Sequence, residues 1–145
     1  MISFIIPVRN EEKALPRTLA NIREYRGSHE VIVADDQSSD GTVAAAKTNS
    51  DLVIENTSHV RITIGANRNL ATLKAKGELF VFADADSYVM DPNDFFPKVE
   101  AMFRDDPRLG ALTFFNRFTP GMETWRDRFF LAYFLQAPKT FSTAL

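Results

Sequence analysis

Residues 80–86, Phe-Val-Phe-Ala-Asp-Ala-Asp, constrain the chain more than any other stretch. The apolar run is comfortable only as a buried strand, and it ends in two carboxylates one residue apart. Acids so placed repel each other unless a cation or a hydrogen-bonding ligand sits between them. The stretch therefore predicts a strand whose carboxyl end opens on a ligand site.

The rest of the chain repeats that pattern. Residues 2–8 read as a buried strand with Pro7 near its end, where a ladder donor can be spared. Asn10, Glu11 and Glu12 open a helix whose apolar face is Leu15, Leu19 and Ile22, regular from about Leu15 and ended by Gly27. Residues 30–34 are a second buried strand, running into a polar turn over 35–42 where Ser39 or Asp40 caps the next helix. Residues 52–54 form a third strand. A helix over 64–76 ends at Gly77 and leads to the fourth strand, 78–83, and the two aspartates. Asp91-Pro92 starts a further helix, residues 110–118 a fifth strand, and residues 123–136 an aromatic-rich amphipathic helix.

Strands alternating with helices predict right-handed βαβ units: a three-layer α/β/α, Rossmann-like fold with a mostly parallel sheet. In such sheets ligands bind outside the carboxyl ends of the strands. Arg9, Asn10 and Glu11, then Asp35, Asp36 and Ser38, then Asp84 and Asp86 must emerge on one edge. Asp84 and Asp86 offer hard oxygen ligands for Mg²⁺ or Mn²⁺, with substrate phosphates and water completing the shell. The small Ala85 between them leaves room for a ligand. Arg68 supplies a cation for a diphosphate, and Asp36 an acceptor for a base or ribose. Asp40 reads as turn structure.

Residues 5–12, Ile-Ile-Pro-Val-Arg-Asn-Glu-Glu, 31–42, Val-Ile-Val-Ala-Asp-Asp-Gln-Ser-Ser-Asp-Gly-Thr, and 65–71, Gly-Ala-Asn-Arg-Asn-Leu-Ala, precede 76–78, Lys-Gly-Glu, and Asp84-Ala85-Asp86. Together they resemble the nucleotide-sugar half of family 2 glycosyltransferases, which have the GT-A fold. The resemblance implies that Pro7, Val8 and Glu11 line a nucleoside pocket and that Asp36 contacts the base. It also implies that Arg68 approaches the base or diphosphate. Asp84 would touch ribose or the metal shell, and Asp86 would ligate Mg²⁺ or Mn²⁺. Arg9 stands where the family often has tyrosine, and Gln37 replaces a frequent Gly or Asn with little expected effect.

The implied reaction is transfer of a sugar from a UDP- or GDP-linked donor to an acceptor hydroxyl on a sugar or lipid, with inversion. Inversion needs a carboxylate base. Nothing over 110–145 matches the family's base, which is expected beyond Leu145; Glu123 and Asp127 read as solvated charges. The chain is thus expected to be one domain, 1–145, with 1–109 binding the donor and 110–145 beginning an incomplete acceptor side.

Rival readings are a nucleotide-binding module without turnover and a haloacid-dehalogenase-like phosphatase with Asp84 as nucleophile. Against the latter, Ser87-Tyr88 breaks that family's pattern. A dinucleotide oxidoreductase lacks its glycine-rich turn after the first strand. The near balance of 17 basic and 19 acidic residues argues against nucleic acid, and zero cysteines exclude thiolate chemistry and suit a reducing cytosol. A cytoplasmic location is expected, with no signal peptide. The late aromatic residues pack in the core or form a contact with a subunit or the inner face of a membrane. His29 and His59 read as surface histidines.

Overall fold

In the computed structural model, which describes residues 1–115 and 131–136, strands and helices alternate along most of the chain. The elements are β1 (Ile2–Val8), α1 (Leu15–Arg23), β2 (His29–Asp35), α2 (Thr42–Asn49), β3 (Leu52–Glu55), α3 (Ile64–Thr72), β4 (Leu79–Phe82), α4 (Pro92–Asp105), β5 (Ala111–Phe115) and β6 (Leu131–Gln136). They build one sheet of order β3-β2-β1-β4-β6-β5. Its first four strands run parallel, as continuous apolar runs joined by helices require.

Alternation along β1 sends its side chains to two layers. Ile2, Phe4, Ile6 and Val8 pack with Leu15, Leu19 and Ile22 of α1, Ala46 of α2, and Phe96, Val99 and Phe103 of α4. Ile5 faces the other way, with Ile32, Ala34, Phe80, Phe82 and Ala71 of α3. Helices therefore cover both faces, and the three-layer expectation holds.

Pro7 sits in this central strand without cost. The Ile5 carbonyl accepts from Ala83 N on the β4 side, and the Val8 carbonyl accepts from Asp36 N on the β2 side. Successive residues alternate sides, so Pro7 faces β4. The β4 ladder has already ended there, with Phe82 opposite Ile5.

One expectation is overturned. Within the helix expected over 123–136, residues 131–136 form β6, antiparallel to both β4 and β5; residues 123–130 lie outside the described residues. A short apolar run rich in aromatics suits a strand as well as a helix, and the slot between β4 and β5 decides it through two ladders of hydrogen bonds. His29 also departs from expectation. It is half-buried at the start of β2, with its ring 5.7 Å from that of Phe4 and 5.6 Å from that of Tyr25.

Candidate functional site

Val8 lies opposite Asp35, and β4 ends level with Ile5, so the segments after β1, β2 and β4 leave the sheet on one edge. The first two interlock. Asn10 N donates to Ser38 Oγ at 2.9 Å and Ser39 N to Asn10 Oδ1 at 2.8 Å, while Glu11 N donates to Thr42 Oγ1 at 2.7 Å. Asp40 accepts from Thr42 N at 3.0 Å and from Glu12 N at 3.3 Å, the turn role expected of it, although Gly41 takes the N-cap position of α2. Asn10 and Gln37, one in each loop, hold left-handed backbone at φ 55° and 59°. Such conformations in side-chain-bearing residues cluster where a site dictates the backbone.

Asp36 is buried at 6% exposure, under a loop that the sequence did not single out. Asn56 Nδ2 donates to its Oδ1 at 2.7 Å, Ile62 N adds a 3.3 Å bond, and Arg61 Nε stands 3.8 Å from Oδ2. The Asn56 amide holds the Asp36 carboxyl below the usual range against the effect of burial. Ile62 N and the charges of Arg61 and Arg9 add to that pull. Gln37 fastens the same loop from beside Asp36, its Nε2 donating to the carbonyls of Ser58 and Val60.

Beyond β4 the chain makes a tight turn. Ser87 N donates to the Asp84 carbonyl at 3.0 Å, and Asp84 N donates to Ser87 Oγ at 3.1 Å. Ala85 and Asp86 occupy the middle of this turn; Ala85 is buried and Asp86 exposed. Arg68 reaches over from α3, its Nη2 2.9 Å from Asp84 Oδ1 and its guanidinium carbon 5.8 Å from the Phe82 ring centroid. Burial raises the Asp84 carboxyl, Arg68 pulls it down, and the charge of Asp86 pushes it up again. Glu11 is raised too, by burial first and then by Asp86, Asp40 and Asp84. The edge thus has two electrostatic ends: Asp36 is compensated by cations, and the Glu11, Asp84 and Asp86 end carries excess negative charge.

That excess suits a cation. Among the described residues no three His, Cys, Asp or Glu side chains gather closely enough to form a metal cage. The donors present fit the other mode of holding Mg²⁺ or Mn²⁺, in which one or two carboxylates share the ion with substrate phosphates. Among the described residues, Asp86 is the exposed carboxylate of this turn that could take that role. Asp84 is a secondary one, because Arg68 already engages it.

The Glycosyl transferase family 2 profile matches residues 3–144. The chain belongs to glycosyl transferase family 2. Several solved structures agree. The mannosyltransferase PcManGT from Pyrobaculum calidifontis, in complex with GDP-Man and Mn²⁺, is 29% identical, with a TM-score of 0.68 over 76% of this chain and 34% of that one. S. aureus TarS 1–349 in complex with UDP is 27% identical, with a TM-score of 0.66 over 85% and 37%. Glucosyl-3-phosphoglycerate synthase from Mycobacterium tuberculosis, in complex with Mn²⁺, UDP and phosphoglyceric acid, is 26% identical, with a TM-score of 0.61 over 77% and 41%. The chain therefore spans between 34% and 41% of these proteins' lengths. No curated protein sequence matches it. Family membership leaves the phosphatase reading of Asp84 without support.

For this family 2 chain, the structure gathers most of the residues singled out from sequence and changes what several of them do. Arg68 and Asp84 pair with each other. Val8 is 4% exposed and belongs to the core, with its carbonyl engaged by Asp36 N. Ala85 likewise packs inward, and its carbonyl accepts from Thr18 Oγ1, so its smallness serves packing more than ligand approach. Pro7 is half-buried at the edge and Arg9 is exposed. A groove of about 370 Å³ runs along Asn10, Glu11, Glu12, Lys13, Ala14 and Asp40. Asn56, Arg61 and Ser87 were missed, because loop polar residues carry no periodicity. No described helix is long and apolar enough to cross a membrane.

Proposed function

We propose that this chain binds a nucleoside-diphosphate-linked sugar and forms the donor side of a metal-dependent, inverting glycosyltransferase. The observation that carries the reading is the two-ended edge. A base or ribose is recognised by hydrogen bonds at Asp36, between Arg9 and Arg61, and the diphosphate lies toward Arg68 and the acidic turn. Pro7 and Glu11 line the nucleoside pocket, while Val8 stays in the core. Asp86, with Asp84 beside it, would hold Mg²⁺ or Mn²⁺. When bound, the ion acts as a Lewis acid toward the leaving diphosphate. Arg68 offsets diphosphate charge, and its bond to Asp84 keeps it in place for that task.

The reading extends the family assignment, and the ligands of the structural neighbours support it: GDP-Man with Mn²⁺ in one, UDP in two others. Residues 1–109 are the donor-binding part, and residues 110–145 belong to the acceptor side. The acceptor is a sugar or lipid hydroxyl whose proton a carboxylate base takes, and the surroundings are cytoplasmic.

Thermal shift with UDP-, GDP- and TDP-linked sugars, with and without Mn²⁺, tests the proposal, because a ligand of the folded state stabilises it by mass action. One nucleotide class should raise the midpoint in a Mn²⁺-dependent manner, and Asp86→Ala should remove the metal-dependent part. No shift with any donor sinks the donor-site reading. A Mn²⁺-dependent shift that survives Asp86→Ala removes Asp86 from the metal.

A further inference from the structure

Helix α1 buries two polar side chains, Thr18 and Asn21, each 2% exposed, among Leu15, Leu19 and Ile22. A buried polar group without partners is costly, so these two call for an explanation. Both find their partners in one place. Thr18 Oγ1 lies 2.5 Å from the Ala85 carbonyl and 3.0 Å from the Ser87 carbonyl. Asn21 clasps Val89 at both ends, its Nδ2 donating to the carbonyl at 2.9 Å and its Oδ1 accepting from the N–H at 2.7 Å. Arg17, one residue before Thr18, stacks its guanidinium 4.8 Å from the centroid of the Tyr88 ring.

Thr18 and Asn21 thus hold residues 85, 87 and 89 by their main-chain atoms, while Asp86 and Tyr88 between them stay exposed. The bonds run to the backbone and so specify where the segment lies, whatever side chains it carries. The turn itself is closed by Ser87, and α1 fixes where that closed turn stands relative to the sheet edge. We infer that Thr18 and Asn21 are positioning residues for Asp86, holding the Asp84–Ser87 turn so that its exposed carboxylate faces a divalent ion shared with the donor diphosphate. The inference rests on the donor-site reading above.

Partners of this kind typically change metal affinity by about 10- to 100-fold when removed. The test is Mn²⁺-dependent and Mn²⁺-free binding of UDP and GDP to the full chain, by calorimetry, for wild type, Thr18→Val, Thr18→Ser and Asn21→Ala. Amide hydrogen exchange at residues 84–89 is measured on the same samples. Thr18→Val and Asn21→Ala should weaken the Mn²⁺-dependent component by about ten-fold or more, with metal-free binding at Asp36 within about two-fold of wild type. Exchange at 84–89 should quicken while the β1 amides stay protected. Thr18→Ser keeps the hydroxyl and should restore wild-type binding. Should Asn21→Ala fail to fold, the near-isosteric Thr18→Val and its serine counterpart decide the matter. Equal loss of binding with and without Mn²⁺, or variants that bind like wild type, overturns the positioning role and leaves the donor site standing. A wild-type chain without any Mn²⁺-dependent nucleotide binding overturns the donor-site reading itself, and the inference with it.

Discussion

Gly77 joins α3 to β4 where no side chain fits. A Cβ there would stand 2.5 Å from Ser3 Oγ, 2.7 Å from Ser3 N and 2.8 Å from the Met1 carbonyl. The last two belong to the backbone at the start of the central strand, so they cannot step aside. Gly77→Ala should therefore destabilise the chain by about 1–3 kcal/mol, seen as a lower urea midpoint at unchanged slope. Gln37 presents the opposite case, a side chain where glycine would be easier. Its left-handed backbone costs about 1–2 kcal/mol, while its amide holds the loop beside Asp36. Gln37→Ala and Gln37→Gly both lose the amide, but only glycine relieves the backbone. The alanine variant should be the less stable by roughly 1 kcal/mol. Equal stabilities in denaturant would show that the strain is absent. The expectation that Gln37 matters little fails on this geometry.

At the scale of elements, α1 serves the core and the site together. Leu19 is fully buried on the face that meets β1, and Leu19→Ala should cost about 2–5 kcal/mol in chemical denaturation. The loop over residues 56–62 brings its polar groups onto the Asp36 carboxylate. Asn56 is the largest influence holding the Asp36 carboxyl down. A carboxyl lowered by folding adds stability above its unfolded value of 3.8, and that stability is lost as pH falls through the folded value. Asn56→Ala should move the Asp36 titration, followed by NMR, back toward the ordinary range and flatten that acid limb. An unmoved Asp36 would assign the shift to Ile62 N and the charges of Arg61 and Arg9 instead.

The whole molecule is tied across one face of the sheet by Tyr25, just past the end of α1. Its hydroxyl donates to Glu100 Oε2 of α4 at 2.8 Å, and its ring lies 5.2 Å from Phe96 and 6.5 Å from Phe4. Burial first, and Glu100 second, push its hydroxyl from 10.0 up to about 12. A group raised by folding contributes stability that is complete below the unfolded value and is lost as pH rises through the folded one. Wild type should therefore exceed Tyr25→Phe by about 1–2 kcal/mol at neutral pH. That margin should shrink between pH 10 and about 12. A constant margin in urea melts across that range would mean that the bond to Glu100 contributes little.

The parallel α/β plan was legible from the chain alone. Continuous apolar runs such as residues 2–8 and 30–34 need cover on both faces, and the helical segments between them supply it. The same pattern placed Asp36, Asp84 and Asp86 on one edge, because the carboxyl ends of parallel strands open the same way. Partners were not legible. That Arg68 meets Asp84, that Asn56 and Arg61 enclose Asp36, and that Thr18 and Asn21 grip the backbone at 85–89 all depend on which loops the register brings side by side. Residues 131–136 became a strand for the same reason, since a gap between β4 and β5 offered hydrogen bonds on both sides. Periodicity tells which way a side chain faces. Only the packed sheet decides what it meets there, and so left one of the two acids after β4 paired with Arg68 and the other exposed beside it.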